Sequence, residues 1–372
     1  MNSRKRLLRV LEGKLPDRVP ISTYELCGWN SRAFENSEPS YAGLMDFIRG
    51  NTDTLTMWNP RSDEAYVFSA YRPETHEEIS DEGGYHVRRV TVNAGGRMLT
   101  QTSKYTDNLK TVWNVEHICK DLHDVDALMN MPYVPPAYDA GDFGRVSAET
   151  GDNGLIMASV ADPACVAMEI MEFGEAMVWA MSEPDHFKAT LDELHRRNMR
   201  NLENMLQTQT ADLYRICGPE YITPPYLPPA HFERFVYPYL CDMVKLIHRY
   251  DAKARIHCHG RVGKVLDYIL DTGADALDPC EAPPDGDITL ADIKKRAAGR
   301  LCLFGNLQLK LLEHGTEQEV RDCVKGCMDA AKEGGGYVIM PTSAPINIPL
   351  SPKTEANYRV FIQTALEYGQ YK

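Results

Sequence analysis

Two histidines spaced two apart, His257-Cys258-His259, followed by Glu281, are the strongest chemical constellation in the chain. In a strand, alternate side chains share a face, so His257 and His259 point one way and Cys258 the other. Two imidazoles on one face at the C-terminal end of a strand suit a divalent metal. Glu281 follows the next expected strand, in Asp278-Pro279-Cys280-Glu281-Ala282-Pro283-Pro284. Neighbouring strands lie about 4.8 Å apart, so this carboxylate can close the set. Two His and one Glu with a fourth position open is a catalytic zinc pattern. A metal-free reading stands beside it, in which the two histidines are hydrogen-bonded and hold substrate. Cys258 reads as a packed core thiol, and Cys280 as an alternative ligand in place of Glu281.

Other polar residues fall at expected strand ends. Glu220 follows Cys217-Gly218-Pro219 and is a candidate base, substrate contact or further ligand; its bland reading is a loop cap. Tyr226 lies in the Pro-rich stretch 223–229 beside Tyr221 and would wall an aromatic pocket. Tyr24 and Glu25, after the first expected strand, and Asn306 and Thr342, near the last two, are substrate-binding candidates of the same kind. No GxSxG elbow, GxGxxG after a strand or GxxxxGK[ST] loop is present, so neither a serine hydrolase nor a nucleotide binder has support.

These residues need a scaffold that brings strand ends together. The text alternates strand and helix from about residue 154: strands at 155–160, 212–217, 254–259, 276–278, 301–306 and 336–340, with helices at 185–206, 262–270, 317–331 and 355–368. Earlier come a short amphipathic helix at 7–11 and strands at 19–23 and 53–58. Regular alternation predicts a parallel sheet, and the number of units predicts a single (β/α)8 TIM barrel over 1–372 with an N-terminal helical extension. From about 77 to 115, Gly83-Gly84, Gly95-Gly96 and alternating polarity predict a β-hairpin excursion that covers one end.

The bulk numbers narrow the function classes. Lys and Arg total 40 against 53 Asp and Glu, a net charge of −13, which disfavours nucleic acid and anionic membrane surfaces. No apolar run approaches the roughly 20 residues that span a bilayer, and the basic N-terminus lacks the apolar core of a signal peptide. Ten cysteines without a CxxC pair read as reduced thiols. The expectation is a cytoplasmic enzyme.

The sequence resembles the uroporphyrinogen decarboxylase superfamily. The resemblance runs through Arg9-Val10-Leu11-Glu12-Gly13, Pro16-Asp17-Arg18-Val19-Pro20, Pro225 to Pro238, Ile256-His257-Cys258-His259-Gly260, Gly305-Asn306, Gly315-Thr316 and Gly334-Gly335-Gly336-Tyr337-Val338-Ile339. It implies a (β/α)8 barrel and a choice between decarboxylases and zinc-dependent corrinoid methyltransferases, with homodimers recurring. The decarboxylase's Arg-Gln-Ala-Gly-Arg segment is missing, since 25–32 reads Glu25-Leu26-Cys27-Gly28-Trp29-Asn30-Ser31-Arg32. Thiol-methylating members use His-x-Cys and a late Cys. Here His259 stands at the Cys position, and 341–345 reads Pro341-Thr342-Ser343-Ala344-Pro345 with no Cys. Glu281 resembles in position a zinc-ligand Glu of cobalamin-independent methionine synthases.

Imidazole and carboxylate in place of thiolate make a harder, more Lewis-acidic zinc that prefers oxygen substrates. The resemblance therefore implies methyl transfer from a methyl ether, of the methoxylated-aromatic kind, to a corrinoid. No Asp-x-His-x-x-Gly motif is present, so a separate corrinoid protein would carry that cofactor. In this reading His257, His259 and Glu281 hold Zn2+, and Glu220 orients substrate or manages a proton. Tyr226, Asn306 and Thr342 shape the pocket. The rivals are a corrinoid-to-thiol methyltransferase, a metal-free decarboxylase, and a non-catalytic tetrapyrrole- or partner-binding barrel.

Overall fold

In the computed structural model, which describes residues 1–371, seven parallel strands form one curled sheet. They are β1 (Thr54–Met57), β6 (Gly154–Ala161), β7 (Leu213–Cys217), β8 (Lys253–His257), β9 (Ala276–Asp278), β10 (Cys302–Leu307) and β11 (Tyr337–Pro341), in the order β1-β6-β7-β8-β9-β10-β11. Long helices return the chain between strands, among them Pro184–Thr208, Glu317–Ala331 and Pro352–Tyr368. The helix at 317 starts with a Thr316/Glu319 capping box, which satisfies free N–H groups of its first turn.

The expected strand at 19–23 is not a regular strand, so the sheet has seven regular strands where eight were expected. Residues 19–22 nevertheless touch both edges of the sheet. Ile339 N donates to Pro20 O at 3.0 Å, Ser22 N donates to Ile339 O at 2.9 Å, and Asp53 N donates to Ile21 O at 2.7 Å. Pro20 has no N–H to give a ladder, and the Ile21 N–H goes to the Asp53 carboxylate at 2.9 Å instead of to a backbone carbonyl. That fully buried carboxylate also accepts from Arg6 at 2.5 Å and from Arg18 at 2.7 Å. A single side chain thus replaces a stretch of ladder.

Alternation along the strands sorts the core in two. Tyr214, Ile216, Ala254, Ile256, Leu277, Leu303, Tyr337 and Ile339 face outward and pack under the helices. Leu55, Leu155, Met157, Leu213, Phe304, Val338 and Met340 face the lumen. The N-terminal helix Ser3–Leu11 inserts Leu7, Val10 and Leu11 into this inner cluster. Its start is fixed by Asn2, whose side chain accepts from Lys5 N at 2.9 Å. Each of these buried apolar side chains contributes about 1.5–3 kcal/mol, so the helix plugs the lumen and the opposite end is left for chemistry.

The excursion is a four-stranded antiparallel meander, β2 (Thr75–Glu82), β3 (Tyr85–Ala94), β4 (Arg97–Thr106) and β5 (Leu109–Glu116). Its Gly83, Gly84, Gly95 and Gly96 take positive φ at the tight turns. Val90, Val92, Ala94 and Leu99 bury one face. The turn between β4 and β5 reaches the loop after β11: Lys110 N donates to Ile346 O at 3.1 Å and Ile348 N to Asn108 O at 3.0 Å. The excursion is therefore tied to the C-terminal strand ends, the side of the expected site. Among the described residues, no helix is long and apolar enough to cross a membrane.

Candidate functional site

Strand β8 ends at His257, not at His259 as expected. His257 pairs in register with Cys217 on β7 and Asp278 on β9. His259 lies just beyond, before Gly260, which turns the chain with φ 79°. The two rings still meet, with centroids 4.7 Å apart at 86°. The strand-face argument thus holds one residue past the ladder, because Cys258 N is still bonded to Asp278 O at 2.8 Å.

Glu281 comes to the same place from the loop after β9. Its Oε1 lies 3.2 Å from His259 Nδ1, and its Oε2 accepts from Gly260 N at 2.7 Å. The loop folds so tightly that Gly286 rests against the Glu281 carbonyl, where a Cβ has no room. Burial opposes charge on Glu281, but the adjacent His259 and the Gly260 N–H outweigh it and hold the carboxyl below its usual range. His259 mirrors this. Burial works against its proton, and Glu281 overrides burial and raises it.

His257 is 6% exposed and is held from below. Its Nδ1 is 2.8 Å from Asp278 Oδ2, in a geometry that fixes the ring and leaves Nε2 as the outward atom. Asp278 is fully buried and also lies 3.0 Å from Arg255 Nε. Burial pushes its carboxyl up, yet Arg255 and His257 together carry it well below the ordinary range. Arg255 stacks on Phe304 with its guanidinium 4.9 Å from the ring. Beside it in register is Arg215 on β7, paired with Glu25 at 2.9 Å and lying 5.5 Å from the Tyr24 ring. Tyr24 reaches His257 on its other side, at 6.2 Å between centroids.

A cavity of about 380 Å³ is lined by His259, Glu281, Glu220, Tyr226, Tyr221 and Phe173, with Gly260 and Asp285. Glu220 is oriented by Gly218 N, which donates to its Oε2 at 3.1 Å. Gly218 itself sits at φ 125° against Asp162, a conformation and a contact that only glycine allows. Tyr226 is half exposed and meets Phe173 edge to face at 4.9 Å, making an aromatic wall. Four of the residues singled out from the sequence, Glu220, Tyr226, His259 and Glu281, therefore share one cavity, with His257 on its floor side touching His259.

The other candidates lie elsewhere. Asn306 is 6% exposed and is consumed internally: its Nδ2 donates to Cys280 O at 2.7 Å, and Oδ1 accepts from Cys327 Sγ at 3.3 Å. Thr342 accepts from Leu309 N at 3.3 Å and donates to Gln308 Oε1 at 3.2 Å. Asn306 ties β10 to the loop after β9 and to the helix at 317–331, Thr342 ties the loop after β11 to that after β10, and neither lines the cavity. Cys258 and Cys280 are buried thiols, and burial pushes both well above their ordinary value. Arg215 and Arg255 were missed as site residues. The signal was an arginine two before each strand's last lumen-facing residue, in Arg215-Ile216-Cys217 and Arg255-Ile256-His257.

The donor chemistry fits a borderline divalent metal: two imidazoles, one with its tautomer fixed by a carboxylate, and a second carboxylate beside the other. The spacing shown is that of a His259–Glu281 ion pair at 3.2 Å next to His257. Among the described residues, no three His, Cys, Asp or Glu side chains stand at metal-holding distances.

Residues 106–364 match the family model described as uroporphyrinogen decarboxylase (URO-D). The match spans well over half of the chain, and the chain belongs to this family. Among solved structures, a methyltransferase from Methanosarcina mazei superposes with TM-score 0.62 at 16% identity, covering 99% of both chains. At that identity the likeness shows the fold. A D-psicose 3-epimerase aligns over 62% of this chain and 83% of its own, with TM-score 0.38 and 9% identity. No curated protein sequence matches.

Proposed function

We propose that the chain is a zinc-dependent methyltransferase that moves a methyl group from a methyl ether, of methoxylated-aromatic type, to a corrinoid held by a separate protein. The observation that carries this is the convergence of His259, Glu281, Glu220 and an aromatic wall on one cavity at the strand C-termini, with His257 oriented beside them. The family membership, and the similarity in fold to a protein described as a methyltransferase, support the class. Cys258 and Cys280, the thiols beside these ligands in sequence, are buried, and no cysteine lines the cavity that holds His259 and Glu281, which favours an imidazole and carboxylate ligand set over the thiol-methylating arrangement.

In this reading His257 Nε2, His259 and Glu281 hold the zinc. When bound, it supplies Lewis acidity toward the ether oxygen and the departing phenolate. Asp278 keeps His257 in the ligand tautomer. Phe173 and Tyr226 flank an aromatic ring and exclude water. Glu220, facing the same cavity, orients substrate or takes up a proton at its carboxylate.

The test is metal content together with turnover. One zinc per chain, lost in His259→Ala, and methylation of free Co(I) cobalamin by an aryl methyl ether are expected. Methylation of a thiol from methylcobalamin, with the ether inert, refutes the direction and the donor. A second reading, a metal-free lyase acting on carboxylates, is favoured by the His259–Glu281 ion pair, in which the two groups face each other at 3.2 Å. Turnover in protein lacking zinc selects it.

A further inference from the structure

Arg215 is a buried cation with too few partners. Its side chain is 9% exposed, and Nε and Nη1 have no hydrogen-bond acceptor. Its register neighbour Arg255 is a second lumen guanidinium. The one fully buried carboxylate beside them, Asp278, is hydrogen-bonded to His257 at 2.8 Å and lies 3.0 Å from Arg255 Nε as an ion pair, with Arg255 Nε and Nη1 themselves lacking hydrogen-bond acceptors, so one carboxylate stands against two guanidiniums. Arg215 is left with Glu25 alone, through Nη2 at 2.9 Å.

Glu25 is a poor permanent partner. Its side chain is 45% exposed, and it comes from the turn after residues 19–23, not from the sheet. The preceding Tyr24 takes φ 60°, a left-handed conformation that a tyrosine adopts only under constraint. Glu25 also lines a second mouth cavity of about 400 Å³, together with Met57, Phe34 and Ala344. A guanidinium carries five donors in a fork that matches a carboxylate through two parallel bonds. Glu25 uses one.

We propose that Arg215 is the docking point for a carboxylate on the substrate, and that Glu25 occupies that point until substrate displaces it. Tyr24 touches both Arg215 and His257, so an anion seated there lies on the same floor as the imidazoles. The inference rests on the methyl-ether reading and narrows it: the donor is a methoxylated aromatic acid, not a neutral ether.

Calorimetry on the full chain with three probes tests this: 4-methoxybenzoate, benzoate and 4-methoxybenzamide. The two acids bind, and the amide binds at least about tenfold more weakly, the scale of a charge-assisted bidentate contact. Glu25→Gln removes the internal competitor and tightens both acids by about threefold to fivefold, leaving the amide unchanged. Arg215→Gln abolishes the preference for acids. Equal binding of acid and amide overturns the proposal, as does a Glu25→Gln variant with unaltered acid affinity. Glu25 is half exposed, so its variant decides the matter even if Arg215→Gln fails to fold. Benzoate has no methyl group to give. Its binding without turnover of any ether keeps the carboxylate site and sinks the methyl-ether reading, and turnover of neutral ethers with no acid preference does the reverse.

Discussion

Replacing Asp278 by Asn tests the floor of the site with almost no change of shape. Asp278 is fully buried, 3.0 Å from Arg255 Nε and 2.8 Å from His257 Nδ1. Asn can still accept from the imidazole, so the variant isolates the charge. Arg255 is 1% exposed, with Arg215 beside it and Phe304 under it. Without Asp278 it is an uncompensated buried cation next to a second one. Removing one partner of a buried pair costs about 3–5 kcal/mol. Unfolding entropy near 2.1 cal/mol/K per residue over 372 residues makes each kcal/mol worth about 1.3 °C. Asp278→Asn should therefore melt about 4–6 °C lower, with a matching fall in the urea midpoint. Adding Arg255→Met, which fills similar volume, should restore part of the loss, because it removes the uncompensated buried charge that the single variant leaves. A single variant within about 1 kcal/mol of the parent, or a double variant no more stable than the single, refutes the account of this floor.

Two further outcomes follow from the same geometry. Asp53 replaces a strand ladder by accepting from Arg6, Arg18 and Ile21 N; Asp53→Asn should cost about 3 kcal/mol or more in urea unfolding and raise amide exchange at residues 19–22 above that of β8. In EDTA-treated protein, the His259–Glu281 pair should give a bounded pH window. His259 is raised above 6.5, so its contribution is full below that value and fades as pH rises through the folded value. Glu281 is lowered below 4.5, so its contribution is full above that value and fades as pH falls through the folded one. The stability lost in Glu281→Gln should be greatest between pH 4.5 and 6.5. A loss that grows steadily toward alkaline pH contradicts the pairing.

The sequence alone determined what is periodic or local. Strand–helix alternation gave the parallel sheet, and the capping box at Thr316 and Glu319 set the start of the helix at 317. Paired glycines marked the turns of the meander, and its bounds, 75–116 against the expected 77–115, moved by one or two residues. The spacing of His257 and His259, with a carboxylate after the next strand, put three polar side chains at one end of adjacent strands. Only the tertiary structure decided which polar groups face one another. Glu220 and Tyr226 join His259 and Glu281 because the loops after β7 and β9 fold over the same cavity, a matter of loop path that no periodicity encodes. Asn306 and Thr342 looked equally suitable by position, yet their hydrogen bonds are taken by Cys280, Cys327, Leu309 and Gln308, far off in sequence. The irregular segment at 19–22 and the Arg215–Glu25 contact share this origin. Each depends on a side chain from a distant part of the chain, Asp53 in one case and Glu25 in the other, that meets its partner only once the sheet has curled.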